Sequence, residues 1–327
     1  PVLGVRGSDT VANANSFAHG RTFCWTASVF CLRPRAIVIL TESDPALVEP
    51  VLRAHPPTIV EAMPAAFVRC QPLLTQPENP FRDVRLFVST YDAMHPPTVR
   101  RYLAASERRR PIWMQGWGQT ETGPLTFRFL TRGSVARERA KHPTTRNLGR
   151  AIPVKTRLRV VDPDTLTPVS RGRTGLVLAR TAARCLGYLG EERRWQDKLV
   201  GQWWNTGDLG ARTRGGSMLF LDREVDRTPE LSCVETEDVL EDRLPAVLEC
   251  VVLGVPESSP LPVLVTEDGE LDPDAWSRAV HDLPPLQQPV VLGWEELPRT
   301  GTGKVRRLEL LHQLLGRTET HGSGRWT

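Results

Sequence analysis

Apolar and polar positions alternate along this chain in two different periods. AIVIL at 36–40 is a continuous apolar run, the pattern of a strand covered on both faces. DPALVEPVLRAH at 44–55 spaces its apolar residues by three and four, with Asp44 placed to cap a helix and Pro45 at its first position. VRLFVS (84–89) reads as a second strand, PPTVRRYLAAS (96–106) as a helix and PIWMQGW (111–117) as extended chain. That alternation predicts a layered α/β part over residues 1–146. From 147 to 222 the pattern becomes strands between turns (RLRVVD, LVLAR, WWNTGD, SMLFLD), a small β-rich subdomain. Over 223–327, ETEDVLEDRL, CVVLGV, PVLVTED, DPDAWSRAVHDL, VVLGW and RRLELLHQLL predict a compact α+β domain, with a frayed polar tail ETHGSGRWT. The chain shows no internal repeat.

Composition adds exclusions. At 327 residues and 40% hydrophobic, the chain can bury a sizeable core and divide into two or three domains. No apolar run approaches the roughly 18 residues of a membrane span, and PVLGVRGSD lacks the order of a signal peptide, so the default expectation is a cytoplasmic protein. The net charge of +4 is the remainder of 42 basic and 38 acidic residues. The basic residues form no stripe, which argues against nucleic acid as a partner. The dense run ERRRP (107–111) reads as the solvated end of the preceding helix. Six scattered cysteines without metal spacing read as reduced and mostly buried. Only Lys141, Lys155, Lys198 and Lys304 are lysines, which draws attention to each.

Three stretches carry candidate chemistry. In GWGQTETGP (116–124), glycines flank Trp117 and allow a tight backbone approach, while Thr120 and Glu121 present a hydroxyl and a carboxylate suited to a phosphate and its Mg²⁺. In WWNTGDLG (203–210), Asp208 follows a turn glycine and is suited to accept hydrogen bonds from a diol. PRTGTGKVRR (298–307) is a glycine-rich loop ending in Lys304; it lacks the frame of a Walker loop. Taken singly, each is also compatible with a helix cap, a good turn or a solvated loop.

In this order and spacing the three stretches resemble the adenylate-forming superfamily of acyl-CoA synthetases, luciferases and peptide-synthetase adenylation domains. NLGRAIP (147–153) matches the segment that follows the family's first motif, and SFAHG with His19 resembles an upstream motif at the acid pocket. The resemblance implies that 1–222 is the C-terminal portion of a large domain and 223–327 a small mobile domain. It implies that Trp117 stacks on adenine beside Gly118, Thr120 contacts the α-phosphate, Glu121 ligates Mg²⁺, and Asp208 with Arg223 holds the ribose. Lys304 would reach both the carboxylate and the α-phosphate. Two anions meet in that reaction, so positive charge must stabilise its transition state. The implied activity is ATP-dependent adenylation of a small carboxylic acid, followed by transfer to coenzyme A or to the phosphopantetheine of an acyl carrier protein.

The sequence also departs from the family. The Ser/Thr/Gly-rich phosphate loop is absent, so the expectation is that an N-terminal part is missing and supplied in cis or by a partner. At the hinge, DREVDRTPELS (222–232) keeps Arg223 and Asp226 but carries Val225, Pro229 and Ser232 where the family has a polar residue, lysine and glycine. Thiol transfer is therefore less secure than adenylation. STYDA (89–93) replaces a Gly-Gly-Ala segment beside adenine and acid, so that Thr90 and Tyr91 narrow a pocket also bordered by Gly116 and His19. A compact acid, or an unusual oxyanion such as nitrite, fits that change. The rival expectation is a degenerate nucleotide-binding protein of the same fold.

Overall fold

The computed structural model describes residues 4–139, 146–224, 228 and 231–316. The hinge positions Val225, Asp226 and Pro229 and the polar tail lie outside the described residues. The fold is mixed α/β, and internal contacts divide it into two units. The first comprises 1–115, 129–143 and 299–305; the second comprises 116–128, 144–298 and 306–327.

The first unit is built as β1 (Thr10–Ala14), α1 (Gly20–Cys31), β2 (Ala36–Ile39), α2 (Pro45–Ala54), β3 (Ile59–Ala62), α3 (Pro64–Arg69), β4 (Leu86–Ser89), α4 (Pro96–Ala105) and the first residues of β5 (Ile112–Gln119). The strands are parallel in the order β2-β1-β3-β4-β5. Asp44 caps α2 by accepting from the backbone of Ala46 at 2.9 Å, and Pro45 opens it, as the sequence predicts. One face of the sheet packs an aromatic core of Phe67, Phe87, Tyr102 and Trp113, with the Tyr102 hydroxyl donating to Phe67 O at 2.8 Å. The other face meets α1, where Asn13 Nδ2 donates to Thr26 Oγ1 at 2.9 Å. The run Glu107–Arg110 is exposed and lies just past α4, because Ser106 leaves helical backbone and its hydroxyl donates to Val84 O.

The second unit takes up the rest of β5 and β6 (Gly123–Leu130), whose last two residues and α5 (Arg132–Arg139) belong to the first unit. It continues through β7 (Asn147–Ala151), β8 (Thr156–Val161), β9 (Thr174–Thr181), α6 (Glu192–Asp197), β10 (Leu199–Val200), β11 (Trp203–Arg212) and β12 (Met218–Arg223). These strands run β6-β7-β12-β11-β9-β8, with β10 on β11. It also holds α7 (Cys233–Arg243), β13 (Val247–Leu253), β14 (Leu261–Thr266), α8 (Pro273–Val280), β15 (Val290–Leu292) and α9 (Arg307–Leu315), where β13-β14-β15 form a three-stranded sheet. The acidic helix α7 is not a solvated face. Glu237 is 1% exposed and accepts from Val252 N at 2.8 Å and from Arg307 at 2.6 Å, while Glu241 accepts from Cys250 N at 3.0 Å. These carboxylates satisfy strand and arginine donors that would otherwise be stranded in the interior.

The cysteines are free, but only Cys70, Cys233 and Cys250 are buried; Cys24 and Cys31 are exposed on α1. This corrects the expectation of a mostly buried set, since α1 turns one side to solvent. Among the described residues no helix is long and apolar enough to cross a membrane.

Candidate functional site

In the second unit, the GWGQTETGP stretch is the end of β5, a tight turn and the start of β6. Thr122 N donates to Gln119 O at 3.1 Å and its hydroxyl accepts from Gln119 N, closing the turn. Gly118 is required there: a Cβ would lie 2.3 Å from Gly123 O, closer than atoms approach. Thr120 is left exposed at the turn and Glu121 half-buried beside it. Tyr188 donates its hydroxyl to Glu121 Oε1 at 2.6 Å and is itself set by the rings of Trp195 and Trp204. Burial, then the Glu121 carboxylate, push the Tyr188 hydroxyl above its usual range, so it stays a donor.

The Thr-Gly-Asp turn places Asp208. Thr206 Oγ1 donates to Val177 O and accepts from Asp208 N at 3.1 Å, and Gly207 takes the left-handed φ of +70° that the kink in β11 needs. Asp208 is 1% exposed, yet both its oxygens are engaged. Oδ1 accepts from Arg223 at 2.9 Å, and Oδ2 accepts from the Trp117 indole at 3.1 Å and from Gln119 at 3.5 Å. Burial raises its pKa while Arg223 and Trp117 oppose the shift. The Trp117 indole N–H is thus fixed by the carboxylate, and its ring packs against the cluster of Val160, Val177 and Met218 while staying partly exposed. Gln119 closes the network by donating to Thr206 O and accepting from the Trp204 indole at 3.1 Å.

The first unit gathers the remaining candidates. His19 caps α1, its Nδ1 accepting from Arg21 N at 3.4 Å, and its ring meets Tyr91 edge-on at 4.3 Å. Burial, then the charges of Lys304 and Arg21, lower its pKa and keep it neutral. Tyr91 adopts φ +87°, a region side chains rarely enter, and is held there by its hydroxyl, 2.8 Å from Thr22 Oγ1 and 3.2 Å from Arg21. Thr90 beside it is buried. Lys304 stands in a closed loop: Thr300 N donates to Lys304 O at 2.8 Å, and Lys304 N donates to Thr300 Oγ1 at 3.1 Å. A Cβ on Gly303 would come within 3.2 Å of Met63, so the loop sits on the corner that follows β3.

The geometry therefore groups Trp117, Asp208 and Arg223, sets Glu121 against Tyr188, and brings His19 and Tyr91 together with Lys304 acting on His19. It also adds residues that sequence reasoning missed. Gln119, Tyr188 and Trp204 are polar or aromatic positions of strands and turns whose partners are remote in sequence. Lys198 is half-buried, with its amine beside Gly207, and burial lowers its pKa while Glu224 opposes this. Arg21 forms an ion pair with the wholly buried Glu61. A carboxylate inside the apolar run TIVEAM was the available signal for that pair.

The residues present suit ATP and Mg²⁺. Partly exposed Trp117, bonded through its indole N–H to the buried Asp208, supplies an aromatic ring and a carboxylate, and Glu121 keeps an oxygen beyond the one Tyr188 uses. A hard cation takes oxygen ligands of this kind, together with phosphate oxygens and waters.

Comparison with known proteins gives the chain's relatives. The model of the family described as AMP-binding enzyme matches residues 2–189. The chain is 37% identical over 314 residues to 3-amino-2-hydroxy-4-methoxybenzoate diazotase of Streptomyces cremeus, covering 95% of this chain and 56% of that protein. It is 26% identical to 3-hydroxybenzoate–CoA ligase of Aromatoleum sp. (strain CIB), covering 85% of this chain and 54% of that one. The chain thus spans about half the length of these curated relatives. Among solved structures, a benzoate CoA ligase from Burkholderia xenovorans LB400 shares the fold at a TM-score of 0.74 and 22% identity, over 95% of this chain and 62% of that one.

Proposed function

The chain belongs to the AMP-binding enzyme family, and from that membership we propose that it serves an ATP-dependent reaction in which an oxyanion attacks the α-phosphate and pyrophosphate leaves. The observation that carries this reading is the Trp117–Asp208–Arg223 network, an aromatic face and a buried carboxylate held at fixed positions for a nucleoside. In this reading Trp117 stacks on adenine with Gly118 allowing close approach, Asp208 and Arg223 hold the ribose, and Thr120 contacts the α-phosphate. Glu121 holds Mg²⁺, which supplies positive charge to the phosphates. Lys304 offsets repulsion between the attacking anion and the phosphate, and Tyr91, Thr90, Gly116 and His19 shape the place of the anion. Movement of 223–327 as a body would account for a catalytic lysine so late in the chain.

For the oxyanion we favour nitrite. The relative matched over 95% of the chain is a diazotase, and making a diazonium from an aromatic amine requires nitrogen at the oxidation level of nitrite. Nitrite oxygen would bond to the α-phosphorus with loss of pyrophosphate, and the amine would then attack the nitrosyl nitrogen with loss of AMP. A second reading, adenylation of a compact aromatic acid and transfer to coenzyme A, is favoured by the likeness to 3-hydroxybenzoate–CoA ligase. A carrier protein as acceptor and a partner or preceding segment supplying further parts of the reaction belong to the same set of proposals.

Pyrophosphate exchange into ATP by the longest native polypeptide separates these readings. Exchange dependent on nitrite supports the first, and exchange dependent on an aromatic or short-chain acid but not on nitrite replaces it with the second. AMP binding without exchange under any condition reduces the protein to a nucleotide-binding relative.

A further inference from the structure

The carboxyl ends of β1, β3 and β4 in the first unit carry more polar atoms than the protein satisfies. Register sets Asn13 beside Glu61 and Ala62 beside Ser89, so Asn15, Glu61 and Thr90 lie at or just beyond adjacent strand ends. Asn15 Oδ1, Arg21 Nη2, Glu61 Oε2 and Thr90 Oγ1 are all buried, and none has a hydrogen-bond partner among the described residues. Glu61 is 0% exposed. Its Oε1 is taken by Arg21 Nη1, which also donates to the Tyr91 hydroxyl. What remains is one carboxylate oxygen and one guanidinium nitrogen on the two halves of a single ion pair. A buried polar atom left unpaired is destabilising, and carboxyl ends of parallel strands are where such folds hold ligands. Among the described residues nothing fills both positions.

The unused pair specifies its ligand. Glu61 Oε2 accepts and Arg21 Nη2 donates, so the complement is a molecule offering an N–H to the first and an anionic oxygen to the second. We propose that Glu61 and Arg21 bind an aromatic amine carrying a neighbouring acidic oxygen, the acceptor of the activated group, and that Glu61 takes the proton the amine loses. This rests on the nitrite reading given above for its chemistry. The amine nitrogen bonds to the nitrosyl nitrogen of adenylated nitrite, the N–O bond breaks, AMP leaves with that electron pair, and the released proton passes to Glu61 Oε2. Burial raises the Glu61 carboxyl to about 7 despite the opposing Arg21 charge, a value suited to accepting and returning a proton near neutrality. Tyr91, bonded to both Thr22 and Arg21, fixes the guanidinium and acts as a positioning residue.

The test is equilibrium binding by the full chain of 2-aminobenzoate against 2-methylbenzoate, which has the same shape but no N–H. The expected result is a preference of about tenfold or more for the amine, because a buried acceptor is left unpaired by the methyl compound. Glu61→Gln should cut that preference to about threefold or less. Equal affinities in the unaltered chain, or a preference unchanged in a folded Glu61→Gln variant, would overturn the proposal. If the variant fails to fold, the comparison of the two ligands on the unaltered chain decides alone. Nitrite-dependent exchange without amine reads the first half separately: exchange with no amine preference sinks this inference only. An amine preference without exchange keeps the amine site and removes the nitrite reading.

Discussion

Two buried carboxylates, Asp208 and Glu61, sit in opposite electrostatic situations. Asp208 receives Arg223, Trp117 and Gln119 on its two oxygens, and every one of those donors comes from the second unit. Glu61 shares one oxygen with Arg21 and leaves the other unpaired. The first network is complete and rigid, which suits a group that must hold a ring and a ribose at set positions. The second is incomplete, and its completion requires something the described residues do not provide. Burial raises both carboxyls, but only in Asp208 do several donors oppose the shift. On the proposed reading, the difference separates a scaffold for a nucleotide, which the reaction always uses, from a site whose occupant defines the substrate.

The largest effect that sharpens this contrast belongs to neither carboxylate. Lys304→Ala should lower nitrite- or acid-dependent pyrophosphate exchange about 100- to 1,000-fold, as for removal of one charge-stabilising group, with AMP binding retained. Full exchange in that variant would remove Lys304 from the chemistry. Next in size, Asp208→Ala removes the acceptor of the Trp117 indole and the carboxylate paired with Arg223, so unfolding stability should fall by about 1–3 kcal/mol and ATP affinity with it. Urea denaturation and nucleotide titration read the two losses, and an unchanged titration would argue against the ribose role.

Glu61→Gln tests the incomplete network through pH. The Glu61 carboxyl is raised from 4.5 to about 7 in the folded chain, so between those values the folded state holds the proton that the unfolded state has lost. This group therefore favours folding as pH falls from 7 to 4.5 and disfavours it above 7. Relative to the glutamine variant, the unaltered protein should gain stability on acidification by on the order of 3 kcal/mol. Paired urea melts at pH 5 and pH 8 measure it, and parallel pH profiles would show that Glu61 is charged throughout. The smallest expected effect is that of Tyr91→Phe, which removes the hydroxyl that fixes Arg21 and should change stability by about 1 kcal/mol. If Tyr91 positions the guanidinium, this variant should also weaken 2-aminobenzoate binding more than 2-methylbenzoate binding.

Local pattern was enough for much of the chain. Asp44 and Pro45 marked the start of α2 because capping and proline act within one turn. The motif glycines were legible for the same reason, since Gly118 and Gly207 answer to backbone geometry close to them in sequence. The apolar run at 36–40 was legible as a strand but not as one covered on both faces: β2 lies at the end of the sheet order and Ile39 is 40% exposed, because apolar pattern does not say which strand ends a sheet. The lone histidine of SFAHG proved to cap α1, a role as local as that of Asp44. The acidic helix α7 was legible as a helix, but not the burial of its carboxylates: Glu241 and Glu237 accept from strand donors 9 and 15 residues away, which draw them inside.

By itself the sequence determined the α/β alternation, the caps and turns and the order of motifs that marks the family, and it nominated Trp117, Thr120, Glu121, Asp208 and Lys304 as candidates. These follow from forces acting over a few residues, or from spacing along the chain. Tertiary structure alone decided that the Trp117 indole bonds Asp208 across 91 residues, that Tyr188 orients Glu121 across 67, and that Arg21 pairs with Glu61 across 40. Whether a buried polar atom is satisfied depends on every neighbour that strand register and helix packing bring to it, and no window of sequence contains those neighbours.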